Sequence, residues 1–416
     1  MERHLFPGSE PLPLYQFGAG PGRARGATAA LGSGNGGGIR GLGRLDCLPA
    51  PVVAPPGALR KDGSLADPPS TPAHQITAAA PPPEPLTLRP DDRVDLHLHT
   101  LASDGAWTPA ALVDHLAGEG FHVAAVADHD TMRSVPEVTR RAAKRGIRII
   151  PAVEVTTRWS DRQWHVLVYG IQPNRADPEA RAFRSVLADL DAQLLTLAED
   201  ARRRIEAVGK PLSSLEEIAG GRPLWPYHVL ISAIREGHVK NLKEAAELVS
   251  RMGGGFSADE PLDRVVDAAH QAGGITVVAH PGRADSVGAL SPEDLDRMLA
   301  EIPIDGLEAH YRSHTDEQTA LYRRLADEKG LLISAGSDSH APHQPVNPRP
   351  WRAVWSRDLL RRLGITVDSV SGNASVWEPG MDPLAPKPKP AEGEPEKVEA
   401  PVSEPKPDVA MSAAMV

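Results

Sequence analysis

Residues 93–105 read RVDLHLHTLASDG. Apolar residues alternate with Asp95, His97 and His99, and the run then breaks into a polar segment ending at Asp104 and Gly105. The alternation predicts a short β-strand. Side chains two apart on a strand share a face, so His97 and His99 point the same way and can grip one metal ion. Gly105 lets the chain turn, and Asp104 can bend back to the same rim. Which partners meet this strand decides the fold.

Working outward, strand-like and helix-like segments alternate. Thr108-Pro109 opens a helix, with Thr as the cap and Pro at the first helical position. HVAAVA (122–127) is a strand, EVTRRAAKRG (137–146) a helix, IRIIPAVEVT (147–156) a strand and WHVLVYGI (164–171) another. From 178 to 265 helical patterns dominate, which predicts a helical insertion forming a lid or subdomain. The βα rhythm resumes with PLDRVVDAAHQAGG and ITVVAHPGR (275–283), then DGLEAHY (305–311) and LLISAGSDSH (331–340). Repeated βα units imply a parallel sheet, either a barrel or a doubly wound fold.

The ends of the chain are built differently. Of 41 prolines in 416 residues, 25 lie in residues 1–90 and 379–416, with few aromatics around them. Such segments bury too little apolar surface to offset the entropy of ordering, so residues 1–90 and 376–416 are expected to be disordered. The remainder, 91–375, has the size of one large α/β barrel. A net charge of −10 argues against general duplex-DNA binding, though a local basic cleft is compatible with it. The single Cys47 forms no disulfide framework, which suits a reducing cytoplasm. The first residues lack the apolar core of a signal peptide, and no stretch approaches the roughly 18 apolar residues of a membrane span.

Polar residues cluster where strands end: His97 and His99; Asp128, His129 and Asp130; Glu154; His165; His280; Asp338 and His340. In parallel α/β folds, catalysis sits outside the carboxyl ends of strands. A single HxH or DHD is weak evidence, because core and surface histidines are common; six strands feeding one rim is hard to explain as packing. His, Asp and Glu without thiolates suit Mn²⁺, Zn²⁺ or Fe²⁺. The ligands exceed one ion's need, so two or three metals are expected, with Glu154 able to bridge two. Asp128 either orients His129 or caps the next turn. Arg283, three residues after His280, is the foremost cation for a phosphate, followed by Arg158, Arg133, Arg312 and His314; a plain surface role is the alternative for each. His115, His122, His238 and His270 are expected to be packing or surface residues.

The order HLHTLASDG, ADHDT, IPAVEVT, WHVLVYG, AHPGR and GSDSH resembles the PHP (polymerase and histidinol phosphatase) family over roughly 92–345, and most of all its nucleotide and short-RNA phosphoesterase branch. The resemblance implies a distorted seven-stranded βα TIM-like barrel with a trinuclear metal centre. Carried over by position, it puts His97, His99, Glu154 and Asp338 on a first metal, Glu154, His165 and His280 on a second, and Asp104, His129 and His340 on a third. It implies a phosphoesterase acting through metal-activated water on nucleotides or short RNA, manganese being the first candidate metal, ahead of zinc, iron(II) or magnesium. The catalytic group would include Asp128, His129 and Arg283. Other readings are a histidinol-phosphatase-type monoesterase and a non-catalytic metal- or nucleic-acid-binding module. Few aromatics argue against a long base-stacking groove. Relatives often carry Arg-Pro-His in the insertion; here Arg222-Pro223 is followed by LWPY before His228, which makes His228 a candidate substrate contact.

Overall fold

The computed structural model describes residues 85–283, 288–342, 347–369 and 377–383. Cys47, His343 and almost all of the expected head and tail lie outside the described residues. Strand β1 (Leu86–Leu88) pairs in parallel with Ile365–Val367, bringing the two ends of the described domain together. Then come β2 (Arg93–Leu98), α1 (Pro109–Gly118), β3 (Phe121–Val126), α2 (Val135–Ala143) and β4 (Arg148–Trp159), with β2, β3 and β4 parallel neighbours. As the sequence predicts, Thr108 Oγ1 accepts from Ala111 N–H at the start of α1. Leu112, Val113 and Leu116 of that helix pack on Ala124 and Val126 of β3 and on Ile147 and Ile149.

Strand β5 (Arg162–Tyr169) departs from the parallel expectation: it runs antiparallel to both neighbours. The cause is local. Ser160 and Asp161 both take left-handed backbone (φ +52° and +60°), the two-residue turn that suits the twist of a tight hairpin, and Trp159 pairs directly with Arg162. Reversal brings the start of β5, with His165, to the rim where the parallel strands end.

The insertion comprises α3 (Arg181–Ala207), α4 (Leu215–Ala219), α5 (Pro226–Arg235) and α6 (Leu242–Arg251). It has its own apolar cluster, including Leu194, Ile205, Trp225, Val229, Val249 and Phe256. The first half of α3, through Phe183, Val186 and Leu190, belongs instead to the barrel-side core. One long helix thus anchors the insertion to the barrel. The chain continues through β6 (Glu260–Pro261), α7 (Leu262–Gln271), β7 (Ile275–Val278), α8 (Pro292–Glu301), β8 (Gly306–Tyr311), α9 (Asp316–Lys329), β9 (Leu332–Gly336), β10 (Trp351–Arg352), α10 (Arg357–Arg362) and β11 (Ile365–Val367).

The main sheet runs β10-β2-β3-β4-β5-β7-β8-β9. Beyond β9 the chain returns to β2: Asp338 N–H donates to His97 O (2.8 Å) and His99 N–H donates to Ser339 O (3.0 Å). These bonds bring the sheet close to a closed, TIM-like barrel. No helix among the described residues is long and apolar enough to cross a membrane. One boundary differs from expectation. Trp377–Pro383, assigned by composition to the tail, is docked: Trp377 is buried and Asp382 accepts hydrogen bonds from Trp377 Nε1–H and Thr319 Oγ–H.

Candidate metal centre

Glu154 sits mid-strand on β4, fully buried, with both carboxylate oxygens facing imidazoles. Oε1 lies 3.0 Å from His165 Nδ1 and 2.9 Å from His280 Nε2. Oε2 lies 2.9 Å from His97 Nε2, 3.1 Å from His99 Nε2 and 3.4 Å from His129 Nδ1. His97 Nε2 and His99 Nε2 are themselves 3.0 Å apart, aimed at a common point as the strand alternation requires. Asp338 Oδ1 adds a third oxygen, 3.1 Å from His99 Nε2. On the far side, Asp104 faces His340 Nε2 at 3.3 Å and His129 Nε2 at 3.9 Å. All nine residues singled out in the sequence are therefore brought into one cluster. Eight of them form overlapping groups of ligand atoms within 4.8 Å of one another: His97, His99, Glu154 and Asp338; His99, Asp104, His129 and His340; His129, Glu154 and His165; His280 joins through Glu154 Oε1. His99 and His129 each belong to two of these, a sharing the sequence did not indicate.

A second layer holds these side chains. Glu308 of β8, unmarked by sequence reading, lies 3.0 Å from His97 Nδ1 through Oε1 and accepts from His280 N–H through Oε2 (2.7 Å). Tyr311 O–H donates to Asp338 Oδ2 (2.8 Å), which leaves Oδ1 turned to the histidines. His340 Nδ1 is 2.9 Å from Asp338 O, so its Nε2 faces the cluster. Asp128 is engaged by neighbouring loops: its carboxylate accepts from Thr100 N–H, Thr100 Oγ–H, Ser103 Oγ–H and Ser134 Oγ–H. It ties down the loop that delivers Asp104. Gly105 closes that loop, because a Cβ there would lie 2.8 Å from Thr100 O. Asp130, His280 and Asp338 all adopt left-handed backbone (φ +53°, +32° and +52°), unusual outside glycine and characteristic of functional sites.

Buried His99 Nδ1, Asp104 Oδ1, Asp338 Oδ1 and His340 Nε2 make no hydrogen bond. Buried polar atoms are rarely left so. The convergence of imidazole and carboxylate lone pairs, with the outer ring nitrogens of His97 and His340 anchored elsewhere, fits divalent cations. Burial alone would raise the carboxyls of Glu154 and Asp338, but His129 and His97 beside the first, and His340 and Arg312 beside the second, hold both well below the usual range. Asp104 behaves alike, held down by His340 and His129 against burial. Burial opposes a charge on His99, yet the carboxylates of Asp338 and Glu154 beside it push it up to about 10.

The candidate substrate contacts separate. Arg283 and Arg312 both reach the rim, each 3.6 Å from Asp338 Oδ2, and Arg312 also donates to Asp338 O (2.6 Å). Arg158 is instead bound to Asp259 and Ser257, and Arg133 to Asp191. His314 accepts from Gly282 N–H at Nε2 and lies 3.0 Å from Ala309 O at Nδ1, so both its ring nitrogens serve backbone. His228 is buried and accepts from Trp225 N–H at the start of α5. Arg158, His314 and His228 thus have structural partners rather than an open face. Arg222 donates to Ile218 O and Ala219 O within the insertion and to Leu101 O in the loop carrying Asp104, which joins insertion and site.

Residues 95–290 match the PHP domain family model. The chain is 29% identical over 295 residues to a 3′,5′-nucleoside bisphosphate phosphatase from Chromobacterium violaceum, covering 65% of this chain and 97% of that protein. It is 29% identical over 294 residues to a 5′-3′ exoribonuclease from Haemophilus influenzae, covering 69% and 98%. Among solved structures, a protein from Bifidobacterium adolescentis whose name suggests a metal-dependent phosphoesterase superimposes with a TM-score of 0.57 at 26% identity, covering 67% of this chain and 98% of that one.

Proposed function

We propose that this chain, whose residues 95–290 match the PHP domain family model, is a metal-dependent hydrolase of phosphoric esters, acting on nucleoside mono- or bisphosphates or on the 5′ end of short RNA. The observation that carries the reading is the position of Glu154, whose two oxygens face separate sets of imidazoles. That is the arrangement a bridging carboxylate needs. His97, His99, Glu154 and Asp338 would hold one ion, Glu154, His165 and His280 a second, and Asp104, His129 and His340 a third; manganese is the first candidate. Bound there, divalent ions lower the pKa of a coordinated water and neutralise phosphate oxygens.

The chain's own contribution is placement. Arg283 and Arg312 present guanidinium groups beside Asp338, where they hold phosphate oxygens and offset charge growing on the leaving oxygen. Tyr311 and Glu308 keep Asp338 and His97 in one rotamer, so little reorganisation accompanies reaction. The helical insertion, tied to the Asp104 loop through Arg222, covers the rim as a lid. We place the protein in the cytoplasm. The test is a screen of nucleoside monophosphates, bisphosphates and short RNA with Mn²⁺, Zn²⁺ and Mg²⁺ in parallel. Phosphate release that is lost in a folded His99→Ala variant supports the proposal. Metal-loaded wild type that releases neither phosphate nor nucleotide from any of these overturns it. Comparing phosphate with nucleotide release from a dinucleotide separates phosphatase from exonuclease.

A further inference from the structure

Strand β8 carries an irregularity with a purpose. Glu308 pairs with Ser334 of β9 and His310 pairs with Ala335, so Ala309 is one residue too many. Strict alternation would send Glu308 and His310 to one face and Tyr311 to the other. The bulge breaks that rule, and bulges beside active sites re-aim side chains. Here Glu308 and Tyr311, three residues apart, both reach the metal cluster: Glu308 at His97 and His280, Tyr311 at Asp338.

His310 points instead into a separate buried pocket. Its ring stacks on Trp355 at 4.8 Å and 8°. Nδ1 lies 2.8 Å from Asp382 Oδ1, and Nε2 lies 2.8 Å from Arg323 Nη1. Arg323 supplies only protons, so Nε2 accepts and Nδ1–H donates to Asp382. Asp382 belongs to the docked segment Trp377–Pro383 and also accepts from Trp377 Nε1–H (2.7 Å) and Thr319 Oγ–H (3.1 Å). A second thread runs in parallel: Arg349 donates to Pro383 O (3.4 Å) and to Arg312 O (2.6 Å), and Arg312 donates to Asp338 O (2.6 Å).

We propose that the Trp377–Pro383 segment is a latch that holds the β8 bulge, with Asp382 and His310 as positioning residues that aim Tyr311 and Arg312 at Asp338. The inference rests on the phosphoesterase reading for its kinetic readout, and phosphate binding gives a readout independent of turnover. The test uses the full chain loaded with Mn²⁺. Asp382→Ala removes all three bonds. Asp382→Asn keeps them, since its amide oxygen accepts from His310 and Trp377 and its amide nitrogen donates to Thr319. Expected is a fivefold or greater rise in KM and a matching loss of affinity for inorganic phosphate in Asp382→Ala, with Asp382→Asn within twofold of wild type. A purely structural latch would lower Tm and leave KM and phosphate affinity within twofold in folded Asp382→Ala; that result overturns the proposal. Should Asp382→Ala fail to fold, Thr319→Val, which removes one bond, is read by the same two quantities, with a twofold or greater change expected and none overturning the idea. Wild type that binds phosphate but turns over no ester would defeat the phosphoesterase reading alone, and the phosphate measurement would still decide the latch.

Discussion

At the scale of single residues, the centre depends on side chains that never face the substrate. Glu308 anchors His97 through one oxygen and the His280 backbone through the other. Partners of this kind are worth about 10–100-fold in metal affinity or activity when lost. Glu308→Gln should therefore bind metal 10–100-fold more weakly, measured by titration against a competing chelator; unchanged affinity would remove Glu308 from the support of the site. Gly336 makes a harder demand, because a Cβ there would collide with the His97 side chain and Glu308. Gly336→Ala should lower both Tm and bound metal, by roughly 1–3 kcal/mol of overpacking cost. His99 sets a pH dependence. In metal-free protein its pKa is raised to about 10, so the proton is bound at neutral pH, and the stability it lends is fully present below 6.5 and lost as pH rises through about 10. A metal must displace that proton, so affinity should increase with pH, and loading an unbuffered sample should acidify it. Most of the nine candidate ligands were legible in the sequence because they lie in short polar motifs near strand ends; Glu154, mid-strand on β4, is the exception. Glu308 was not, since a lone acid within GLEAHY carries no motif, though an acid inside a buried apolar strand is itself a signal.

At the scale of elements, the rhythm of strands and helices was readable and the direction of β5 was not. WHVLVYG has the composition of any buried strand, and only the two-residue turn at Ser160-Asp161, which lacks the usual Asn-Gly or Asp-Gly, distinguishes hairpin from crossover. The outcome matters, because a parallel β5 would carry His165 away from Glu154. The docked Trp377–Pro383 segment was hidden for a related reason: its composition is that of a tail, and its partners, His310 and Thr319, lie about 60–70 residues earlier. The insertion makes its own prediction through His228. Burial pushes this imidazole down to about 4, and its neutral Nδ1 accepts from Trp225 N–H at the head of α5. A depressed histidine contributes stability that is present above 6.5 and lost as pH falls from 6.5 towards 4. Amides of α5 should exchange faster at pH 5 than at pH 7.5 after correction for intrinsic rates, while those of α9 should not. Equal behaviour of the two helices would show that His228 does not hold the start of α5.

At the scale of the whole domain, the candidate ligands are distributed so that metal binding should reinforce barrel closure. They come from β2 and its following loop, the end of β3, β4, β5, and the segments after β7 and β9. His97 and His99 lie on one side of the seam between β2 and β9, and Asp338 and His340 on the other; backbone bonds such as Asp338 N–H to His97 O, and side-chain bonds from Ser337 N–H to Asp95 Oδ1 and from Trp107 Nε1–H to Ser339 Oγ, also close it. Without cations, the buried carboxylates Asp104, Glu154 and Asp338 are balanced, among the described residues, by protonated imidazoles and by Arg283 and Arg312. Ions that bind the folded state and not the unfolded one stabilise it by about 2.7 kcal/mol at a hundredfold excess over Kd. For a domain of this size each kcal/mol is worth about 2–4 °C, so chelation should lower Tm by about 5–10 °C, and Mn²⁺ should restore it. The loss should be local before it is global. Amide exchange at His99 and Asp338 should accelerate on chelation, while the helical insertion, with an apolar cluster of its own, keeps its protection. A chelated protein with unchanged Tm and an unchanged seam would mean that the histidines and carboxylates are held by hydrogen bonds among themselves, and that the metals are not what closes the barrel.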